Sequence, residues 1–276
     1  METSVQISLA AWSLHRRFWA RELDPLDLAR KAHDAFGLAG VEHASRFIPD
    51  RATDFGYLAE MKKRADDAGV KSVLLKVEER GPLAAGDAPE RFTAIDRHFP
   101  WIVAAAFLGC DWVSVGAEGT GVGAPYLDAM ADSLQRLAAI ADGYGIGVLV
   151  GNRFGLSCDG SWMKALIAKT AHPRVGVHLN ADNFELGGGK VYPRERGLEE
   201  MMPLAKALTA RSYAFDARGD ESTAGVASVA KRAVAAGFSG WVGVEYDGAS
   251  LPEEEGVAKT IAMLRRIWPD ATSTSR

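Results

Sequence analysis

Short runs of apolar, often β-branched residues alternate along this chain with longer segments whose apolar positions recur every three or four residues. The first pattern reads as buried strand and the second as amphipathic helix. Strands are predicted at Gln6–Ala11, Gly40–His43, Ser72–Val77, Trp112–Gly116, Gly147–Gly151, Val175–Asn180, Thr209–Phe215 and Trp241–Tyr246. Helices are predicted at Leu26–Phe36, Tyr57–Ala68, Ala88–Leu108, Tyr126–Tyr144, Ser161–Ala171, Leu198–Leu208, Ser222–Ala236 and Glu253–Ile267. Gly37, Gly69, Gly109, Gly145 and Gly237 stand at helix-to-strand joints, where a left-handed residue ends a helix.

Such alternation is the signal for βα units around a parallel sheet. Its regular count favours a closed eight-stranded α/β barrel, a (β/α)8 TIM barrel, over an open doubly wound sheet. No GxGxxG follows the first strand, so dinucleotide binding finds no support. The 276 residues, 47% hydrophobic and 25% charged, match globular usage. No Ser/Pro-rich linker interrupts them, and α/β barrels reach ~250 residues as one unit, so one domain is expected over residues 1–276.

A formal net charge of −4, with Lys and Arg scattered through the helical segments, leaves no electrostatic footprint for nucleic acid or an anionic membrane. The first residues lack a basic start with a long apolar stretch, and no apolar run of ~18 residues suggests a membrane span. A cytoplasmic protein is expected. Cys110 and Cys158 are widely spaced and in no metal-ligand pattern, which fits two reduced, partly buried thiols.

In a barrel of this kind reactive side chains sit at the C-terminal ends of the strands and on the loops that follow. That geometry selects Trp12, His15, Glu42, His43, Lys76, Glu78, Asn152, Arg153, His178, Asn180, Asp182, Asn183, Arg211, Tyr213, Asp216, Glu245 and Asp247.

The strand ends resemble those of the sugar phosphate isomerase/epimerase family, which shares the xylose isomerase-like barrel. The resemblance starts at SLAAWSLHR (Ser8–Arg16), and continues through GVEHASRF (Gly40–Phe47) and PWIVAAAFLGCDWVSV (Pro100–Val115). It resumes at GNRFGLSCDGSWMKALI (Gly151–Ile167), HPRVGVHLNADNF (His172–Phe184), MMPLAKALTARSYAFDARGDES (Met201–Ser222) and GFSGWVGVEYDG (Gly237–Gly248). It implies a divalent metal held by Glu after strand five, Asp after strand six, His on strand seven and Glu after strand eight. Oxygen and imidazole ligands of that kind suit Mn²⁺, Mg²⁺ or Zn²⁺.

Carried over residue by residue, the ligand pattern fails at three of four places. Gly151-Asn152-Arg153 stands where the family reads an ENH-like motif, and Asn180 stands where it has Asp. Thr209, or Tyr213 in another register, stands where it has His, and only Glu245 matches. The strand-four end is likewise altered, to Ser114-Val115-Gly116. One carboxylate among neutral oxygens leaves a divalent ion undersatisfied in charge. The expectation is therefore no metal and no cofactor, and a two-glutamate epimerase mechanism is disfavoured.

Glu245 ends an apolar strand, so it is either a site residue or half of a structural ion pair, with Lys76 and Arg211 as the cationic partners. His178 lies two residues before Asn180 on the same strand face, and is either a hydrogen-bonded core histidine or an acid/base group. His15, Glu42, His43, Asn152, Arg153, Asn180, Asp182 and Tyr213 are candidate substrate contacts. Trp12, with Phe18 and Trp19, is either an apolar wall for a sugar ring or a core or dimer contact, which leaves a homo-oligomer open. The loop Leu186–Lys190 is Gly-rich and expected to be mobile, and Glu253–Glu255 is expected to start the last helix.

The leading expectation is a sugar isomerase/epimerase-like protein acting on a small carbohydrate or carbohydrate derivative by metal-independent proton transfer next to a carbonyl. Glu245 would be the base, Lys76 or Arg211 would stabilise the oxyanion, and His178 or His43 would carry the second proton. The alternative is a non-catalytic carbohydrate-binding or partner subunit. A DNA-repair role on the same barrel is disfavoured by the absent His- and acid-rich cluster and the absent basic stripe.

Overall fold

The structure, a computed structural model, describes residues 5–117 and 124–269. Eight parallel strands close a barrel: β1 (Val5–Ala10), β2 (Gly40–Ala44), β3 (Lys71–Lys76), β4 (Trp112–Val115), β5 (Gly147–Gly151), β6 (Val175–Asn180), β7 (Ala205–Ser212) and β8 (Gly240–Tyr246). Each pairs with its neighbours in sequence, and β1 closes on β8 from Val5↔Gly240 to Leu9↔Val244. Helices wrap the outside: α2 (Leu28–Phe36), α3 (Phe55–Asp67), α4 (Ala88–Leu108), α5 (Ala124–Asp142), α6 (Gly160–Thr170), α7 (Arg194–Met201), α8 (Val226–Ala235) and α9 (Glu253–Ile267), preceded by the short α1 (His15–Trp19). Asp54, Asp87 and Asp159 each accept a backbone N–H at the start of α3, α4 and α6, a cap worth about 1 kcal/mol apiece. Each of the five joint glycines has positive φ, from 59° at Gly37 to 80° at Gly109.

Strand alternation divides the apolar residues between two faces. Val41, Val113, Val148, Val150, Val177, Leu179, Val242 and Val244 face outward into the layer shared with the helices. Inside, Trp112 and Trp241 fill the bottom of the barrel with Leu74, Leu149 and Ala207. Gly40 and Gly147 make room for them: a Cβ there would lie 2.3 Å from the Trp241 ring and 2.2 Å from the Trp112 ring. With the bottom plugged by indoles, only the C-terminal end of the barrel is left to carry polar groups.

The boundaries around the seventh strand differ from the sequence reading. The helix expected over Leu198–Leu208 ends at Met201, and β7 starts at Ala205, four residues before the expected Thr209. Pro203 breaks the helix, while the small apolar residues Ala205, Ala207, Leu208 and Ala210 satisfy helical spacing as readily as strand alternation. The strand also stops at Ser212, and Phe215 makes only an isolated bridge to Glu221. The Gly-rich segment expected as a loop forms an antiparallel hairpin, Glu185–Gly187 with Lys190–Val191, turned by three glycines of positive φ.

Candidate functional site

The inward-facing residues of the upper strands line the C-terminal end of the barrel with polar groups. Glu245 on β8 is 2% exposed and sits in register with Arg211 on β7. Arg211 Nε donates to Glu245 Oε1 at 2.7 Å, Nη2 lies 2.5 Å from the same oxygen, and Nη1 donates to Asn183 Oδ1 at 3.1 Å. Lys76, the last residue of β3, reaches across the barrel mouth to place Nζ 3.6 Å from Glu245 Oε2. Burial alone would raise the Glu245 carboxyl, but Arg211 and Lys76 outweigh it and hold it at about 2.

The position beside Glu245 is thus Arg211. Thr209 pairs with Gly243 one layer lower, and its hydroxyl meets His178 Nε2 at 2.8 Å. His178 Nδ1 lies 3.0 Å from Ser114 Oγ, so both ring nitrogens are spent on buried hydroxyls. Burial, with Lys76 and Arg153 adding to it, depresses this imidazole to about 3 and keeps it neutral.

Glu42 on β2 shares that lower layer. Ser8 Oγ donates to its Oε1 at 2.9 Å, and its carboxylate lies over Gly243, where a Cβ would approach to 2.4 Å. Burial raises the Glu42 carboxyl to about 7 against the Ser8 hydrogen bond. Gly243 was not among the residues singled out from the sequence. A glycine inside an otherwise apolar strand is the signal that marks such a close approach.

His43, expected as a ligand contact, points the other way. It adjoins inward-facing Glu42, so it turns out of the barrel, bonds Ser72 Oγ at 2.9 Å and lines a small void with Phe18, Leu28 and Met61. Burial lowers it to about 4. Asn152 is fully buried and its amide is wholly committed: Nδ2 donates to the carbonyls of Asn180 and Asn183, and Oδ1 accepts Asn180 N–H at 2.7 Å. It pins the segment that presents Asn183 to Arg211. Asn180 Oδ1 in turn accepts Asp182 N–H at 3.0 Å.

Arg153 folds back over Gly151. Its Nη1 donates to Val77 O at 3.1 Å and Nη2 to Ser114 O at 3.2 Å, while Nε is buried without a partner. A Cβ on Gly151 would lie 3.1 Å from that Nε, so the arginine takes the space a side chain at 151 would use. On the rim, Tyr213 donates to Asp182 Oδ2 at 2.9 Å, and Trp12 Nε1 donates to Asp247 Oδ1 at 3.1 Å. His15 stacks on Trp12 at 5.0 Å, its Nδ1 lying 2.7 Å from the Trp12 carbonyl, and so supports the indole. Glu78 pairs with Arg46, and Asp216 lies away in an exposed turn, accepting the N–H groups of Arg218 and Asp220.

The structure thus gathers Glu42, Lys76, Arg153, His178, Arg211 and Glu245 around the C-terminal end of the barrel interior, while His43 and Asp216 lie away from it. Among the described residues no three His, Cys, Asp or Glu side chains form a group that could hold a metal ion, and no helix is long and apolar enough to cross a membrane.

No curated protein sequence matches the chain. Among solved structures, an L-ribulose 3-epimerase superimposes with a TM-score of 0.73 at 13% identity, covering 97% of this chain and 97% of that one. A 3-keto-D-glucoside 4-epimerase from E. coli gives 0.72 at 12% identity, over 96% and 100% of the two chains. A sugar phosphate isomerase/epimerase from Parabacteroides distasonis gives 0.69 at 17%, over 98% and 95%. At such identities these likenesses speak for the fold alone. The sequence itself carries the assignment further: residues 29–267 match the profile described as xylose isomerase-like TIM barrel, the family to which this closed parallel barrel belongs.

Proposed function

We propose that the protein acts on a small carbohydrate or carbohydrate derivative by proton transfer next to a carbonyl, without a divalent metal. The observation that carries this reading is Glu245 held between Arg211 and Lys76 at the C-terminal end of the barrel. A divalent ion at Glu245 would meet a guanidinium and an ammonium already bound there. The residues around it offer poor replacements: Gly151 has no side chain, the Asn152 amide is committed to backbone, and both nitrogens of His178 are engaged. The donor set therefore does not fit the metal that the family resemblance implies.

Lys76 has the loosest contact of the cluster, 3.6 Å, and is the cation free to turn toward a substrate oxygen. In doing so it stabilises negative charge on the carbonyl oxygen and takes one cation off Glu245, which raises that carboxylate's basicity. Glu245 removes the proton from the adjacent carbon, the C–H electrons pass to the carbonyl as an enolate, and reprotonation completes isomerisation or epimerisation. The histidines do not suit the second proton: His178 is neutral and engaged, and His43 faces away. Glu42, one layer below Glu245 and raised to about 7, is the better matched proton store.

One observation favours a second reading, a carbohydrate-binding member without turnover: the ion pair that holds Glu245 at about 2 makes it a weak base at rest. Incubation with keto-sugars in D₂O separates the two. Proton transfer predicts solvent deuterium at the carbon next to the carbonyl, abolished in Glu245→Gln and unaffected by chelator. Binding without exchange assigns the second reading, and exchange that persists in Glu245→Gln overturns the assignment of the base.

A further inference from the structure

The second half of α4 is apolar on both faces. Trp101, Ile102, Ala104, Ala105 and Leu108 turn inward and are buried, as the core face of an outer helix should be. The opposite face carries Phe99, Pro100, Val103, Ala106 and Phe107, and from Phe99 to Leu108 the sequence holds no charged residue. A helix that is apolar all round belongs in an interior, yet this one stands on the outside of the barrel.

Two aromatic side chains from neighbouring elements widen the patch. Phe55, the first residue of α3, meets Phe107 edge-on at 5.3 Å, and Tyr144, just after α5, lies 6.2 Å from Phe99. These four rings are between 38% and 45% exposed. Phe92, two turns before Phe99 on the same helix, shows how an exposed ring is otherwise covered: the guanidinium groups of Arg91 and Arg136 lie 5.6 and 4.8 Å from its centroid. Among the described residues no cation stacks on any of the other four. At ~200 Å² for a whole aromatic side chain, they leave roughly 350 Å² of ring in water, before Pro100, Val103 and Ala106 between them are counted. A stable homodimer buries about 800 Å² per partner, about two-thirds of it apolar, so the patch supplies most of what one needs.

The spacing identifies the occupant. Phe99 and Phe107 stand four residues before and after Val103, and Pro100 and Ala106 three before and after, so the face reads alike in both directions. Such a face is complementary to itself across a two-fold axis, the isologous contact of most homodimers, and its 99-103-107 row is an i±4 ridge of the kind through which helices pack. Charge does not keep a second copy away. The exposed lysines of neighbouring α3 are paired on their own helix, Lys62 with Asp66 and Lys63 with Asp67.

We infer that α4 is the interface of a two-fold homodimer, with Val103 of the two copies meeting on the axis and Phe99 of each copy packing on Phe107 of the other. The pairing is independent of the proposed reaction, since Glu245 and its cations lie inside the barrel and α4 outside it.

Sedimentation equilibrium of the full chain over a micromolar concentration range should give twice the chain mass. Phe99→Lys and Phe107→Lys should each weaken the dimer by roughly tenfold or more, because each sets an ammonium into the contact twice over. Phe92→Lys, at an exposed position on the same helix but beyond the contact, should leave the dimer unchanged, and circular dichroism checks that all three variants fold. Val103→Cys gives a second readout: a short bis-maleimide should join two copies through that position and fail to join Lys231→Cys on α8, the native Cys110 and Cys158 being buried. Should either Phe99→Lys or Phe107→Lys fail to fold, that cross-link decides alone. A monomer throughout the range, a dimer that survives both of those variants, or a dimer that leaves Val103→Cys unlinked overturns the inference. The first of these would leave the patch to a different protein, and the second would put the contact between copies elsewhere.

Discussion

Arg211 and Glu245 are register partners on adjacent strands, and two nitrogens of the guanidinium converge on one carboxylate oxygen at 2.7 and 2.5 Å. The pair is nearly dry, with side chains 17% and 3% exposed. Breaking it from one side leaves Glu245 buried with only the looser Lys76, so Arg211→Met should destabilise the fold by about 3–5 kcal/mol. Replacing both partners with apolar residues removes the stranded charge. The double variant Arg211→Met/Glu245→Leu should recover more than half of the loss, because Lys76 can turn its ammonium toward solvent. Urea unfolding of wild type, Arg211→Met, Glu245→Leu and the double variant checks this, and additive losses would contradict it.

Glu42 should give the protein an alkaline liability. Burial, opposed by the Ser8 hydrogen bond, lifts its carboxyl from 4.5 to about 7. Between those values the folded chain keeps a proton that the unfolded chain releases, so stability falls as pH rises, by about 3 kcal/mol in all. Glu42→Gln removes that dependence. Its stability relative to wild type should grow by about that amount between pH 4.5 and 8. The acid side runs oppositely through Glu245, lowered to about 2, whose contribution is complete above 4.5 and lost as pH falls toward 2. His43 and His178, depressed by burial, cost stability as pH falls below 6.5 in both proteins and drop out of the difference. A flat difference across the neutral range would show that Glu42 is ionised throughout.

Asn152 should behave as a staple. Truncation to alanine strands the N–H and carbonyl of Asn180 and the carbonyl of Asn183, at a cost of about 3 kcal/mol from lost partners for buried backbone groups. Hydrogen exchange adds a local signature: the Asn180 amide should lose protection more than the amides of β1, on the far side of the barrel. Uniform loss of protection would mean that Asn152 supports the fold only generally.

The barrel was legible because strand and helix periods differ and the joints carry glycines that only a left-handed turn requires, as at Gly37 and Gly109. Strand seven was the exception. Its alanines match either period, and Pro203, which breaks the helix, lies inside the span predicted as helical. The cations near Glu245 could be named from the sequence because the ends of parallel strands meet at one rim. Which way each side chain turns depends on register to a single residue. Glu42 and His43 are neighbours with opposite fates, one inside the barrel and one behind it. The part played by Arg153 could not be read at all, since its side chain doubles back over Gly151.

Gly243 offers the sharpest test of the buried layer. An alanine there would set its methyl 2.4–2.6 Å from the Glu42 carboxylate, which cannot retreat because Ser8 holds it and strands close in around it. Gly243→Ala alone should therefore cost about 1–3 kcal/mol, as overpacking of a filled interior does. In a Glu42→Ala background the same methyl enters the space the carboxylate vacated, and should be neutral or stabilising. Thermal midpoints of wild type, both single variants and the double variant measure the coupling between the two sites. A penalty for Gly243→Ala that is undiminished when Glu42 is gone would mean that the glycine serves the strand backbone rather than the acid above it.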